Sequence, residues 1–176
     1  ELEESSLSDP LTGMRNRRFL TQQIGPDVAL SLARHEATRQ PGEPAPHDAD
    51  LLFFLIDLDH FKEVNDELGH AAGDAVLRQI RARLQPVFRE TDHLMRWGGE
   101  EFLIVARSTT RAHAAELAER ARQQVASQPF DLGDGQWRAI DSRVLYKAIT
   151  AGSETYNTAP ERHPAQRRGG RFADRP

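Results

Sequence analysis

Leu51 to Ile56 is an unbroken run of six apolar residues, and no other segment restricts the fold so closely. A run this short cannot cross a membrane, and one this continuous reads as a strand covered on both faces. A sheet with layers above and below it follows. The run ends in Asp57-Leu58-Asp59, so two carboxylates emerge where a buried strand stops.

The flanking segments supply the layers. Gly73 to Phe88 sets Val76, Leu77, Ile80, Leu84 and Val87 at three- and four-residue spacings, which predicts a helix with one face on the sheet. His93–Trp97 and Phe102–Ala106 flank Gly98-Gly99-Glu100-Glu101 and predict a β-hairpin with a glycine-permitted turn. Thr110 to Val125, rich in alanine, glutamate and arginine, predicts a second helix. Near the start, Asp9-Pro10-Leu11-Thr12-Gly13 is a turn signal. Arg17 to Ala33 then reads as an imperfect or kinked helix interrupted by Pro26. Residues 36–50 hold three prolines and read as a mobile loop without functional residues. The pattern weakens after Trp137, and residues 158–176, rich in Pro, Arg and Gly, are expected to be disordered.

Composition removes several chemistries. The 176 residues suffice for one domain, and the absence of cysteine excludes disulfides, a thiol nucleophile and thiolate metal sites. Such usage suits a cytoplasmic protein. No apolar run approaches the roughly 20 residues of a membrane helix, so no membrane contact is expected. The net charge of −4 is uneven: residues 1–138 hold sixteen Lys/Arg against twenty-three Asp/Glu, and residues 139–176 hold seven against four. An acidic body disfavours a nucleic-acid duplex as partner and leaves room for one polyanion bridged by metal. The chain opens at Glu1 without an initiator methionine, and residues 1–8 are expected to be a linker from an upstream domain.

Asp57 and Asp59 sit on what should be a neighbouring strand to the turn residues Glu100 and Glu101. Alone, each pair reads more simply as a strand end or a solvated turn. Together they are a cluster of oxygen ligands that repel one another unless neutralised, and oxygen-only ligands suit Mg²⁺ or Mn²⁺ better than zinc. The Gly98-Gly99 pair is consistent with close approach of a ligand to the backbone.

Four motifs complete the pattern: Asp9-Pro10-Leu11-Thr12-Gly13-Met14-Arg15-Asn16-Arg17-Arg18, Asp57-Leu58-Asp59-His60-Phe61-Lys62-Glu63-Val64-Asn65-Asp66, Gly69-His70-Ala71-Ala72-Gly73-Asp74 and Arg96-Trp97-Gly98-Gly99-Glu100-Glu101-Phe102. In order and spacing they resemble the GGDEF domain of diguanylate cyclases. The resemblance implies an α/β domain of the nucleotide-cyclase type, a ferredoxin-like palm whose central, mostly antiparallel sheet is flanked by helices. It implies condensation of two GTP to cyclic di-GMP with release of two pyrophosphates.

By matching position, the resemblance places two Mg²⁺ per site, with Mn²⁺ as a substitute, on the Asp57 carboxylate, the Leu58 carbonyl and the Glu100 carboxylate. Glu100 is the implied general base, with Glu101 or a water as alternatives because a metal-bound carboxylate is a poor base. Lys62 offsets phosphoryl charge. Asn65 and Asp74 bind guanine, and His70, Phe61, Gly98 and Gly99 complete the nucleotide contacts. For Asn65 and Asp74 the structural alternative is helix capping. Arg89 and Asp92, with five residues between Asp92 and Gly98, match the family's inhibitory product site for cyclic di-GMP. Two substrates imply an antiparallel homodimer, controlled by an upstream receiver or sensor domain. The rival reading is a catalytically weak module that binds GTP or cyclic di-GMP.

The family's pattern is not intact beyond the second helix. Val144-Leu145-Tyr146-Lys147-Ala148 echoes its last helix, whereas Ala148-Ile149-Thr150-Ala151-Gly152 could be the preceding strand, and the sequence admits either. Lys147 is a candidate ligand of the terminal phosphates. The catalytic domain is accordingly expected to span residues 9–157.

Overall fold

A computed structural model describes residues 7–37, 46–149 and the backbone of 156–158. Helix α1 (Arg17–Ala37) is followed by β1 (Asp50–Leu58), α2 (Phe61–Leu68), α3 (His70–Leu84), β2 (His93–Arg96) and β3 (Glu101–Thr109). A 3-10 turn at Arg111–His113 leads into α4 (Ala114–Ala126), then β4 (Phe130–Gly133), β5 (Gln136–Arg138), β6 (Ser142–Ile149) and β7 (Tyr156–Thr158). The main sheet has the order β2-β3-β1-β6-β7, with antiparallel neighbours throughout, and β4 and β5 form a separate hairpin. This is the expected α/β architecture.

The apolar run of β1 lies at the centre of that sheet and is covered on both faces. Leu52, Phe54, Ile56 and Leu58 share one face and are buried against Val76, Leu77, Ile80 and Leu84 of α3 and Ala118, Ala121 and Val125 of α4. Each fully buried Leu, Ile or Phe contributes about 1.5–3 kcal/mol. The alternate face carries Leu51, buried with Phe19, Met95, Leu103 and Val105, and Phe53 beside them. Cover on this second face is incomplete. Leu55 is only partly buried, and its register partner Leu145 is 47% exposed. Asp57 follows two residues later on the same open face.

Several expectations change. Helix α1 runs through Pro26 to Ala37 without interruption. A proline removes one helical hydrogen bond, but here side chains pin the helix to the sheet: Asp27 accepts from Arg107, and Ser31 Oγ donates to the Ala49 carbonyl. Of the loop expected at 36–50, Glu36 and Ala37 belong to α1 and Asp50 opens β1, and residues 38–45 lie outside the described residues. The helix expected from Gly73 to Phe88 starts three residues earlier and stops at Leu84. Helix α2 is additional to the expected elements, with Phe61, Val64 and Leu68 at three- and four-residue spacings and the first two buried. Gly69, at φ 85° and ψ 165°, breaks the chain between α2 and α3 in a conformation that favours glycine.

The largest correction concerns Val144–Ala148. It is not a helix; it is the middle of β6, paired with β1 from Leu51↔Ile149 to Leu58↔Ser142, and of the alternative strand at 148–152 Ala148 and Ile149 end β6 while residues 150–152 lie outside the described residues. Ser142 and Val144 are buried and Arg143 and Leu145 exposed, a period of two that an outward leucine hides in the sequence. Residues 150–155 and 159–176, including the tail expected to be disordered, lie outside the described residues.

Candidate active site

The β1–β3 pairing brings the acids together. Asp57 is the register partner of Glu101, and Leu58 N–H donates to the Glu100 carbonyl at 3.4 Å. Asp59 N–H donates to the Asp141 carbonyl at 2.9 Å, which fixes the chain just beyond the strand. Burial raises the Glu100 carboxyl above its ordinary value, and the charges of Asp57 and Glu101 raise it further. Negative charge is therefore crowded at the point where β1 leaves the core.

Arg143 answers part of that charge. It stands opposite Asp57 on β6, with Nη2 3.2 Å from Asp57 Oδ1 and Nε 3.1 Å from Asp59 Oδ1. Sequence reasoning missed this residue because only the β1–β6 register brings it to the site. Lys147, the earlier phosphate candidate, pairs in register with Phe53 instead. Four residues of strand, roughly 13 Å, separate it from Arg143.

Among the described residues no three His, Asp or Glu side chains form a self-sufficient metal cage. The carboxylates of Asp57 and Glu100 lie near enough for their charges to interact, and Leu58 is bonded through its N–H to the Glu100 carbonyl. A hard cation such as Mg²⁺ takes one or two carboxylates and completes its shell with water and substrate phosphates. The donor set therefore fits such an ion.

The β2–β3 turn is held by main-chain and arginine contacts. Trp97 and Gly98 N–H both donate to the Glu101 carbonyl, at 2.8 and 3.2 Å. Arg96 donates from Nη2 to the Gly99 carbonyl at 2.9 Å and from Nε to the Gly98 carbonyl at 3.2 Å. Its Nη1 pairs with Asp9, which joins the Asp9–Gly13 turn to the hairpin. Burial pushes the Asp9 carboxyl up, but hydrogen bonds from Thr12 and the Arg96 charge outweigh it and leave the carboxyl below its ordinary value. Contrary to the expected glycine-permitted turn, neither Gly98 nor Gly99 has a positive φ. A Cβ at Gly98 would lie 2.7 Å from Glu101 Oε2, the movable end of that side chain, whereas one at Gly99 would meet nothing within 4 Å. The glutamate folds across Gly98, and Gly99 leaves its side of the turn open.

Helices α2 and α3 carry the remaining candidates. Phe61 is buried at the start of α2, while Lys62 and His70 are exposed in the first turns of α2 and α3. Asn65 lies against Gly73: a Cβ at Gly73 would be 2.9 Å from Asn65 Cγ and 3.1 Å from Phe61 Cζ. Asp74 is the fifth residue of α3, which begins at His70 with Gly69 as its cap, so neither Asp74 nor Asn65 is a helix cap. The structural alternative for these two residues falls away.

Arg89 and Asp92 form a turn rather than a charge pair. Asp92 Oδ2 accepts from Arg89 N–H at 2.8 Å, Asp92 Oδ1 accepts from Arg107 N–H at 2.9 Å, and Arg89 Nη1 donates to the Ser108 carbonyl at 3.3 Å. The two residues line a cavity of about 320 Å³ together with His113 and Arg120. Six residues of β3, roughly 20 Å, separate Arg107 from Glu101, so this cavity is distinct from the acidic strand end.

The sequence model of the family described as Diguanylate cyclase, GGDEF domain matches residues 6–165. The chain belongs to this family. Diguanylate cyclase DgcP of Pseudomonas aeruginosa is 39% identical over 127 residues, covering 72% of the chain and 17% of that protein. Response regulator PleD of Caulobacter vibrioides is 38% identical over 149 residues, covering 85% of the chain and 30% of that protein. The chain thus spans less than a third of either relative. Among solved structures, the GGDEF domain of PA1120 from P. aeruginosa superposes with a TM-score of 0.69 at 29% identity, covering 84% of this chain and 78% of that one. P. aeruginosa diguanylate cyclase SiaD, solved with its activator SiaC, gives 0.66 at 32% identity, covering 86% of this GGDEF domain and 53% of that chain. The palm-like sheet expected from the motifs is the fold these structures share. Among the described residues, no helix of the domain is long and apolar enough to cross a membrane.

Proposed function

We propose that this GGDEF domain condenses two molecules of GTP to cyclic di-GMP, releasing two pyrophosphates. The observation that carries the reading is the strand end itself: Asp57, Leu58 and Glu100 are side by side, and burial and neighbouring acids hold the Glu100 carboxyl above its ordinary value. Two Mg²⁺, or Mn²⁺, held there by Asp57, the Leu58 carbonyl and Glu100, would neutralise phosphate charge and acidify the attacking 3′-hydroxyl. Glu100 is the first choice as proton acceptor by its place at the strand end; Glu101, folded over Gly98, is the second, and a water takes the role where metal holds the carboxylate. Lys62, exposed in the first turn of α2, reaches toward phosphoryl oxygens. Asn65 and Asp74 read the guanine edge, with Phe61, His70, Gly98 and Gly99 as the remaining nucleotide contacts.

One domain holds one nucleotide, so the reaction requires an antiparallel homodimer. Residues 9–157 act as the catalytic unit in the cytoplasm, under the control of an upstream receiver or sensor domain. That PleD is a response regulator and SiaD was solved with an activator supports control by other domains or partners. Arg89 and Asp92, remote from the acids and beside a cavity, serve as the site of feedback inhibition by cyclic di-GMP. In this role the arginine fork takes phosphate or guanine.

Incubation of the chain with GTP and Mg²⁺, followed by chromatography, is expected to yield cyclic di-GMP, and Glu100→Ala is expected to yield none. No product at high protein concentration would replace this reading with that of a nucleotide-binding module. Arg89→Ala is expected to keep synthesis and lose product inhibition; unchanged inhibition removes the regulatory assignment.

A further inference from the structure

Arg143 is fixed at the strand end by register and is free to leave it by side-chain rotation. Its backbone lies opposite Asp57 on β6, while its side chain is 65% exposed and each of the two carboxylates it contacts is 30% exposed. It holds Asp57 and Asp59 through one bond each, from Nη2 and Nε, and not as a two-pronged pair with either acid. Exposed ion pairs of this kind are weak and readily exchanged. A divalent cation on Asp57 would stand a few ångströms from the guanidinium, and two positive centres that close repel strongly at a partly desolvated site. Metal and arginine therefore compete for the same carboxylate. Once displaced, the guanidinium is a planar fork of donors next to the place where phosphate oxygens complete the metal's shell, a geometry guanidinium groups bind well.

We propose that Arg143 exchanges partners during substrate binding: it neutralises Asp57 and Asp59 until a divalent cation takes Asp57, and then holds the terminal phosphates of the nucleotide that arrives with the metal. This rests on reading the strand end as a metal–nucleotide site. It makes binding cooperative, because metal alone must displace the arginine, whereas metal with a triphosphate gives the arginine a new anion.

The test separates the two steps. Mn²⁺ binding to the 176-residue chain without nucleotide is measured by electron paramagnetic resonance. Binding of 3′-deoxy-GTP, which lacks the attacking hydroxyl, is measured by calorimetry at saturating Mn²⁺. Arg143→Gln is expected to tighten Mn²⁺ about two- to tenfold, the effect of removing two exposed ion pairs. The same variant is expected to weaken 3′-deoxy-GTP about tenfold through loss of a charged hydrogen bond. Arg143→Lys, which keeps the charge, is expected to return Mn²⁺ affinity to that of the unaltered chain. Mn²⁺ affinity that Arg143→Gln leaves unchanged or weakens overturns the exchange, as does nucleotide affinity that is unchanged or improved. Glu100→Ala tells the two failures apart. If it leaves Mn²⁺ binding intact, the strand end is not the metal site and both readings fall. If it weakens Mn²⁺ while Arg143→Gln changes nothing, only the exchange falls.

Discussion

Replacing Gly73 with alanine places a methyl group where α2 and α3 leave no room for one. An ideal Cβ at this position overlaps Asn65 Oδ1 and stands 2.9 Å from Asn65 Cγ and 3.1 Å from Phe61 Cζ. Phe61 is only 5% exposed and anchored in the core, so the strain falls mainly on the Asn65 side chain. Two terms of opposite sign then compete. Alanine inside a helix is favoured over glycine by about 1 kcal/mol, and overpacking costs about 1–3 kcal/mol. In the native background the net effect is a loss of about 0–2 kcal/mol, a fall in Tm of up to about 8 °C for a domain of this size. In an Asn65→Ala background most of the clash is gone, so the same substitution should be neutral or stabilising by up to about 1 kcal/mol. Urea unfolding of the four proteins of this double-mutant cycle is expected to show coupling of about 1–3 kcal/mol. Additivity within about 0.5 kcal/mol, or a stabilising Gly73→Ala in the native background, would refute the reasoning. A displaced Asn65 amide should also weaken guanine-nucleotide binding where the fold survives, which calorimetry can read.

Three further outcomes follow from the site and its supports. The Asp9 carboxyl is held below its ordinary value of 3.8, so the unfolded chain takes up the proton first. Its contribution is present above about pH 4 and lost as pH falls through the lower folded value; Asp9→Asn should flatten that acid limb in unfolding free energy measured against pH. Glu100 has the opposite sign. Its folded carboxyl is raised above 4.5, so the penalty of ionising it is absent at low pH and grows as pH rises from there to the raised value. At pH 7 and without metal, Glu100→Gln should stabilise the domain by on the order of 0.5 kcal/mol while abolishing cyclic di-GMP synthesis, read by thermal melts and chromatography. Ser142 is 2% exposed and its hydroxyl has no hydrogen-bond partner among the described residues. Ser142→Ala should therefore raise the unfolding free energy in urea by about 1 kcal/mol, the cost of an unsatisfied buried hydroxyl.

What could be read from the sequence was local. Six consecutive apolar residues fix a doubly covered strand because no other short element buries every side chain, and the acids after it mark where the core ends. The paired glycines between two short apolar runs place the hairpin, and the motifs around these elements carry the family. The helix of α3 was legible from its period, although its start was misplaced because His70 and Ala71 face outward and carry no hydrophobic signal.

Tertiary structure decided what depends on contacts between distant segments. Pro26 predicts an imperfect or kinked helix, but Asp27 and Ser31 tie α1 to Arg107 and Ala49, and those ties outweigh one lost helical bond. Val144–Ala148 echoes a helix until its pairing with β1 makes it a strand, because backbone hydrogen bonds to a partner outrank the local pattern when an exposed Leu145 blurs the alternation. The same pairing brings Arg143 to Asp57 and Asp59, 86 and 84 positions away in the chain. The carboxylates of the site were set by the sequence; the cation that balances them was set by strand register, which no local pattern encodes.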